Sequence, residues 1–285
     1  MSATAIPAAA APVAPHKYYQ RFDRIDRAMH ALLMITFLGC TITGLPPLFS
    51  DHAWAAGLAK LLGGFSGCAL IHRVCAAVMI VVFLGHVARV FLEAVTRNGI
   101  LGTLWGPRSM VPQPQDIIDA YRHVRWFVGM GPRPTFDRYT YWEKFDYWAV
   151  FWGMFIIGGS GLLLWFPAFF STWLPGWVYN IATVVHGEEA LLAVGFIFTI
   201  HFFNGHLRPE KFPMDLVIFT GRIPEHELKE ERTKEYARLV KEGGLSAIEA
   251  TPPSSFGRTF GWVVGGAAVI LGTLTIVIIV WSVIL

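Results

Sequence analysis

Charge is scarce in this chain, and so is cysteine. Only 15% of its 285 residues are Asp, Glu, Lys or Arg, against 54% hydrophobic, and the mean hydropathy is +0.48. Soluble domains carry about 25% charge, so the balance excludes an ordinary one. The three cysteines, Cys40, Cys68 and Cys75, form no CxxC pair and no CxxCH. That removes a zinc ribbon, a Cys-ligated iron–sulfur cluster and covalent c-type haem attachment, and leaves the thiols an apolar, structural role. There is no phosphate-binding glycine loop, no obvious repeat of 20–50 residues, and nothing that suggests a nucleic-acid partner. The first 16 residues hold no Lys or Arg. A secretory signal starts basic, so 1–16 reads as a flexible Ala/Pro-rich tail.

What is there instead is long apolar runs. Five are long enough for a bilayer core about 30 Å thick: Ala28–Phe49, Cys68–Glu93, Asp146–Phe166, Val178–Gly205 and Thr259–Leu285. Lys and Arg gather before the first, between the second and third (94–145), and after the fourth, whereas the opposite side shows only Lys60 and Arg73. The positive-inside rule then puts the N-terminus in the cytoplasm and the C-terminus outside. The chain divides into a four-span domain over 17–222 with a cytoplasmic loop at 94–145, a charged segment over 223–257, and a fifth span over 258–285. After Pro114, apolar residues at helical spacing (Ile117, Ile118, Tyr121, Val124, Val128) predict an interfacial helix. "PEHELKEERTKEYARLVKEGG", from Pro224, predicts one charged, solvated helix ended by Gly243 and Gly244. Gly261 to Gly265 present a small-residue packing face on span 5.

The spans carry histidines. Of ten in the chain, His30, His72, His86, His186, His201 and His206 lie in or at the ends of spans. Polar side chains there are costly and mark functional sites. His72 and His86 stand fourteen residues apart on span 2, about 40° from alignment and about 21 Å apart along the axis. His186 and His201 stand fifteen apart on span 4, about 60° and about 22 Å apart. Depth pairs His72 with His186 and His86 with His201. Each pair can bind the iron of a flat haem b between two helices, and two stacked haems form an electron path. Zinc needs ligands converging on one point, which residues about 21 Å apart cannot do. A histidine-lined transporter would not need matched spacing on two helices. His30 and His206 crowd the inner half. His30 could replace His86 as partner of His201; His30 and His206 could bind a third haem, or line a quinone pocket with Asn204 and Lys211.

Charged neighbours have two readings each. Arg73 could pair with a haem propionate or snorkel at the interface. Arg208 and Lys211 could bind a propionate or lipid headgroups. Glu188 and Glu189 could orient His186 or neutralise Arg73.

"RFDRIDRAMHALLMITFLGCTITGLP", "LIHR", "YWEKFDYWAVFWGMFIIGGSGLLLWF" and "VVHGEEALLAVGFIFTIHFFNGHLRPEKFP" together resemble the membrane cytochrome b subunits of formate dehydrogenases, nickel–iron hydrogenases and related thiosulfate or nitrate reductases, over roughly 17–245. The resemblance implies an all-α integral membrane four-helix bundle binding two b haems, with the fifth span outside it. It implies a multi-pass protein of a prokaryotic cytoplasmic membrane that exchanges electrons with quinone, as the membrane anchor and electron-transfer subunit of a quinone-linked oxidoreductase complex. Its partners would be lipid and iron–sulfur or multihaem cytochrome c subunits. A standalone quinol or superoxide-type oxidoreductase is the alternative. In the formate dehydrogenase type the inner haem uses the span-1 histidine, here His30. His86 makes a two-plus-two arrangement available instead, and His206 is an addition to the family's pattern.

Overall fold

The computed structural model describes residues 17–284; the tail read over 1–16 lies outside them. Five helices are long and apolar enough to cross a membrane: Arg24–Leu48 (span 1), Gly64–Arg97 (span 2), Tyr141–Trp165 (span 3), Trp177–Leu207 (span 4) and Ser255–Ile284 (span 5). The protein is a mostly helical, multi-pass membrane protein. Large apolar side chains such as Leu70, Val81 and Phe91 point outward along span 2, as suits a helix whose solvent is lipid rather than water.

Spans 1 and 3 begin alike. Asp23 caps span 1, accepting from the Asp26 backbone N–H at 2.8 Å while Asp26 accepts from Asp23 N–H at 3.1 Å. Thr140 and Glu143 form the same capping box on span 3. Each box satisfies amide groups that the first helical turn leaves unpaired. Both helices run 25 residues. Span 1 lies along span 2, and span 3 lies along span 4, so the first four spans form two hairpins. The first turns through the short helix Ala53–Leu61 and the left-handed pair Gly63 (φ 88°) and Gly64 (φ 79°), a conformation that only glycine adopts without strain.

Span 5 lies against span 4 on its small residues. A Cβ on Gly272 would come within 2.6 Å of the Phe198 and Phe202 rings, and one on Gly265 within 2.7 Å of Met214 Sδ. The face read from Gly261 to Gly265 is therefore used inside the chain. At the far end, His52 Nε2 and Trp54 Nε1 bond to Ser282 at 3.0 and 2.9 Å, pinning the first hairpin to the end of span 5.

The opposite end carries a cap that the sequence did not reveal. Strand β1 (Tyr18–Gln20) lies between β2 (Arg222–Pro224) and β3 (Glu249–Ala250), antiparallel to both; Tyr18 sits opposite Pro224 and Ala250. Tyr19, Ile223 and Leu228 make its small core. Arg21 is buried beside it, donating to Glu235 at 3.0 Å and to the Arg138 carbonyl. Burial first, then the nearby Arg232 and Arg138, pulls its pKa down to about 10. The predicted single helix after Pro224 is two, Glu225–Glu231 and Thr233–Lys241. It breaks at Arg232, whose guanidinium reaches Glu143 at 2.7 Å, and Leu228, Arg232 and Glu235 are buried. This segment closes the cap rather than standing in water.

The helix expected after Pro114 is present as Pro114–Phe127. Ile117, Tyr121 and Val124 are exposed on it, and Asp116 ties it to Lys144 at the start of span 3 at 2.8 Å.

Candidate cofactor site

At the far end His72 and His186 face each other, with ring centres 6.1 Å apart and planes at 66°. His72 Nδ1 lies 3.2 Å from the Cys40 carbonyl oxygen and 3.2 Å from Thr43 Oγ1. His186 Nδ1 lies 3.0 Å from the Ile157 carbonyl oxygen and 3.3 Å from Ser160 Oγ. A carbonyl only accepts, so in both rings Nδ1 carries the proton and Nε2 keeps its lone pair. Two imidazoles bonded through facing nitrogens to one metal, at about 2 Å each, would set their ring centres about 6 Å apart. The observed 6.1 Å separation is compatible with that figure, so His72 and His186 are the residues that would hold a metal between them.

Glycine makes room for both rings. A Cβ on Gly44 would lie 3.3 Å from His72 Cε1, and one on Gly161 would lie 3.0 Å from His186 Cε1. The two supports correspond at a constant offset of 117 positions, Thr43 with Ser160 and Gly44 with Gly161, as do the caps Asp23 with Thr140 and Asp26 with Glu143. The hairpins are built alike, each holding its even-numbered span's histidine from its odd-numbered span.

Span 4 is not α-helical throughout. Ile197–His201 is a π-turn, which takes up one residue more than an α-turn. It absorbs the difference between the fifteen-residue step on span 4 and the fourteen-residue step on span 2. The offset expected for His201 from a regular helix is thereby reduced.

At the capped end the histidines sort differently. His201 Nδ1 donates to Asp146 Oδ2 at 3.1 Å, leaving its Nε2 free to bind; a carboxylate behind a histidine is a common support for a metal ligand. Asp146 Oδ1 is buried without a hydrogen bond. His30 and His206 share the electrostatic neighbourhood of His201. His206 Nδ1 accepts from the Asp215 backbone N–H at 3.3 Å, which puts its own proton on Nε2. His86 turns elsewhere: its Nε2 meets the Tyr147 hydroxyl at 2.9 Å, and its charged neighbours are Asp26, Arg89 and Glu93. The structure thus brings His30, His201 and His206 together, and sets His86 against Tyr147. Tyr147 stands at the position that matches His30 in the other hairpin.

The charged neighbours have partners of their own. Arg73 lies over the Trp165 ring, 5.8 Å from its centre. Arg208 bonds to Glu231 at 3.0 Å and lies over Trp142. Lys211 is buried and held by Asp215 at 3.2 Å, Glu231 at 3.1 Å and Glu227. Burial opposes its charge, and the three carboxylates more than compensate, so its pKa lies above the ordinary lysine value. Glu189 accepts from Trp152 Nε1 at 3.1 Å.

A cavity of about 2220 Å³ is lined by all six span histidines and by Asn204, Arg73, Arg208 and Lys211. Ligand pockets commonly measure about 300–1,000 Å³, so this one has room for more than one bound group. Among the described residues no cluster of three or more His, Cys, Asp or Glu could hold a metal ion. The sequence matches no family model and no curated protein. Reading the sequence missed Thr43, Ser160, Asp146 and Tyr147. The signal for the first two is a hydroxyl–glycine–leucine triplet in spans 1 and 3.

Proposed function

We propose that the protein is a transmembrane b-type cytochrome that moves electrons between the membrane quinone pool and a partner redox protein through two bis-histidine haems. The supporting observation is the His72–His186 pair, in which both Nδ1 protons are committed and, among the described residues, neither Nε2 makes a hydrogen bond. In this reading spans 1–4 form the haem-binding bundle and span 5 packs outside it. His72 and His186 hold the far-end haem. His201 with His30 holds the capped-end haem, with His86 as the alternative partner of His201; the lone pair of His206 is engaged by the Asp215 N–H, which disfavours a third haem there. When bound, a haem supplies one-electron chemistry at its iron. The chain's own part is to present neutral imidazoles, exclude water with apolar walls and fix ring orientation.

Lys and Arg gather at the capped end, which makes it cytoplasmic in a prokaryotic inner membrane. His86, Tyr147, Asn204 and His206 line the cavity there and would meet the quinone. The chain holds no motif for substrate chemistry of its own, so an iron–sulfur or multihaem cytochrome c subunit would complete the complex. Reduced-minus-oxidised spectra of the purified protein should show b-type bands, with two haems per chain. Protein that retains its fold but shows no haem absorbance would overturn this reading.

A further inference from the structure

We propose that Thr43 and Ser160 are matched positioning residues, each fixing the Nδ1–H tautomer of the histidine opposite so that the Nε2 lone pairs of His72 and His186 meet across the cavity. The inference rests on the haem reading above and assigns a role to two side chains that touch no cofactor.

A hydroxyl has one proton and two lone pairs. Thr43 donates its proton to the Gly39 carbonyl at 2.6 Å, and Ser160 donates to the Ile156 carbonyl at 2.7 Å. What each has left toward its histidine is acceptor capacity only. Each Nδ1 therefore faces two acceptors at once, a carbonyl and a hydroxyl, and both require a proton on Nδ1. Turning either ring over would set a C–H against both acceptors and leave a buried polar group unpaired, at about 1–3 kcal/mol for each group so stranded.

Back-bonding of Ser or Thr to its own helix is common and needs no neighbour. Here it recurs at equivalent positions of two hairpins, each time with a histidine on the adjacent span and a glycine next in sequence to clear the ring. The arrangement has an electronic consequence. Acceptors on the Nδ1 proton make the ring a stronger electron donor, which favours the oxidised iron.

The test is potentiometric, on the purified full-length protein, followed by reduced-minus-oxidised absorbance. The component lost in His72→Ala identifies the far-end haem. Thr43→Val keeps the side-chain shape without the hydroxyl, and Ser160→Ala removes it. Each should move the midpoint of that one component to more positive potential, by up to about tenfold in the oxidised-state preference, about 59 mV for one electron. The other component should not move, and Thr43→Ser and Ser160→Thr should restore the original value. No shift in either variant, or shifts in different components, would overturn the role. Should Thr43→Val lose the component outright, its retention at the unaltered potential in Thr43→Ser supports the role, and its loss in both refutes it. Absence of haem from the unaltered protein would overturn the parent reading too, and would be seen before any substitution is made.

Discussion

At the far end the two hairpins contribute alike: one histidine, one hydroxyl, one carbonyl and one glycine each. At the capped end they do not. One side gathers His30, His201 and His206, with Asp146 behind His201; the other sets His86 against Tyr147. The same two hairpins thus serve two ends under different rules. Where both hairpins keep the same residues, the result is a matched pair of histidines with ring centres 6.1 Å apart. Where His30 is matched by Tyr147, His86 meets a phenolic hydroxyl, and His201 is backed by a carboxylate.

The largest test of this contrast removes ligands. If the proposed reading holds, His72→Ala and His186→Ala should each lower the haem content from two to one per chain, and the double variant should lose no more. His30→Ala should remove the other, while His86→Gln leaves both. Loss of the capped-end haem in His86→Gln but not in His30→Ala would make the two ends alike and erase the difference.

Next in size is the cap. Arg21 and Glu235 are each only 4% exposed, and removing one partner of a buried pair costs about 3–5 kcal/mol. Arg21→Met should lower the melting temperature sharply and shift the histidines nearest the cap, with the His72–His186 absorbance unchanged below the melt. If the far-end haem is lost as readily, the two ends are not separable.

Smaller effects come from the glycines beside the rings. Gly161→Ala forces a Cβ to 3.0 Å from His186 Cε1, and Gly44→Ala forces one to 3.3 Å from His72. Overpacking of this kind costs about 1–3 kcal/mol. Both should loosen the far-end haem, Gly161→Ala more than Gly44→Ala, with the capped-end haem retained. Equal loss of both haems would count against the assignment.

The smallest is a pH effect in the loop. His123 is buried in a ring of aromatic side chains, stacked on Phe127 at 4.7 Å and bonded to the Tyr141 hydroxyl at 3.1 Å. Burial, then Arg133 and Arg208, holds its pKa below the ordinary value. The unfolded chain therefore binds the proton more readily than the folded one. Stability from this group is present above the free histidine value of about 6.5 and is lost as pH falls below it, through the folded pKa. Melting temperatures at pH 7.5 and 5.5 should differ less in His123→Phe than in the unaltered protein.

The spans were readable from sequence because apolar runs of bilayer length leave few alternatives, and the far-end histidines because depth and helical period pair them. The sheet was not, since strands of two and three residues drawn from 18–20, 222–224 and 249–250 leave no local pattern. Arg232 hid inside a good helical sequence; the break there coincides with its bond to Glu143, far away in the chain. His30 and His86 both sat at plausible depth. What distinguishes them is the direction each side chain takes, and the hydroxyl of Tyr147 is what His86 meets.

The strand order of the cap also sets a sequence of events. β1 is made first but lies in the middle, and its second edge is supplied only by Glu249–Ala250. The cap cannot close until residue 250 has been synthesised, after four spans are already in place. Gln20, Arg21, Ile223 and Ile248 of the cap rim the cavity. Until that last polar segment emerges, this side of the cavity lacks part of its wall.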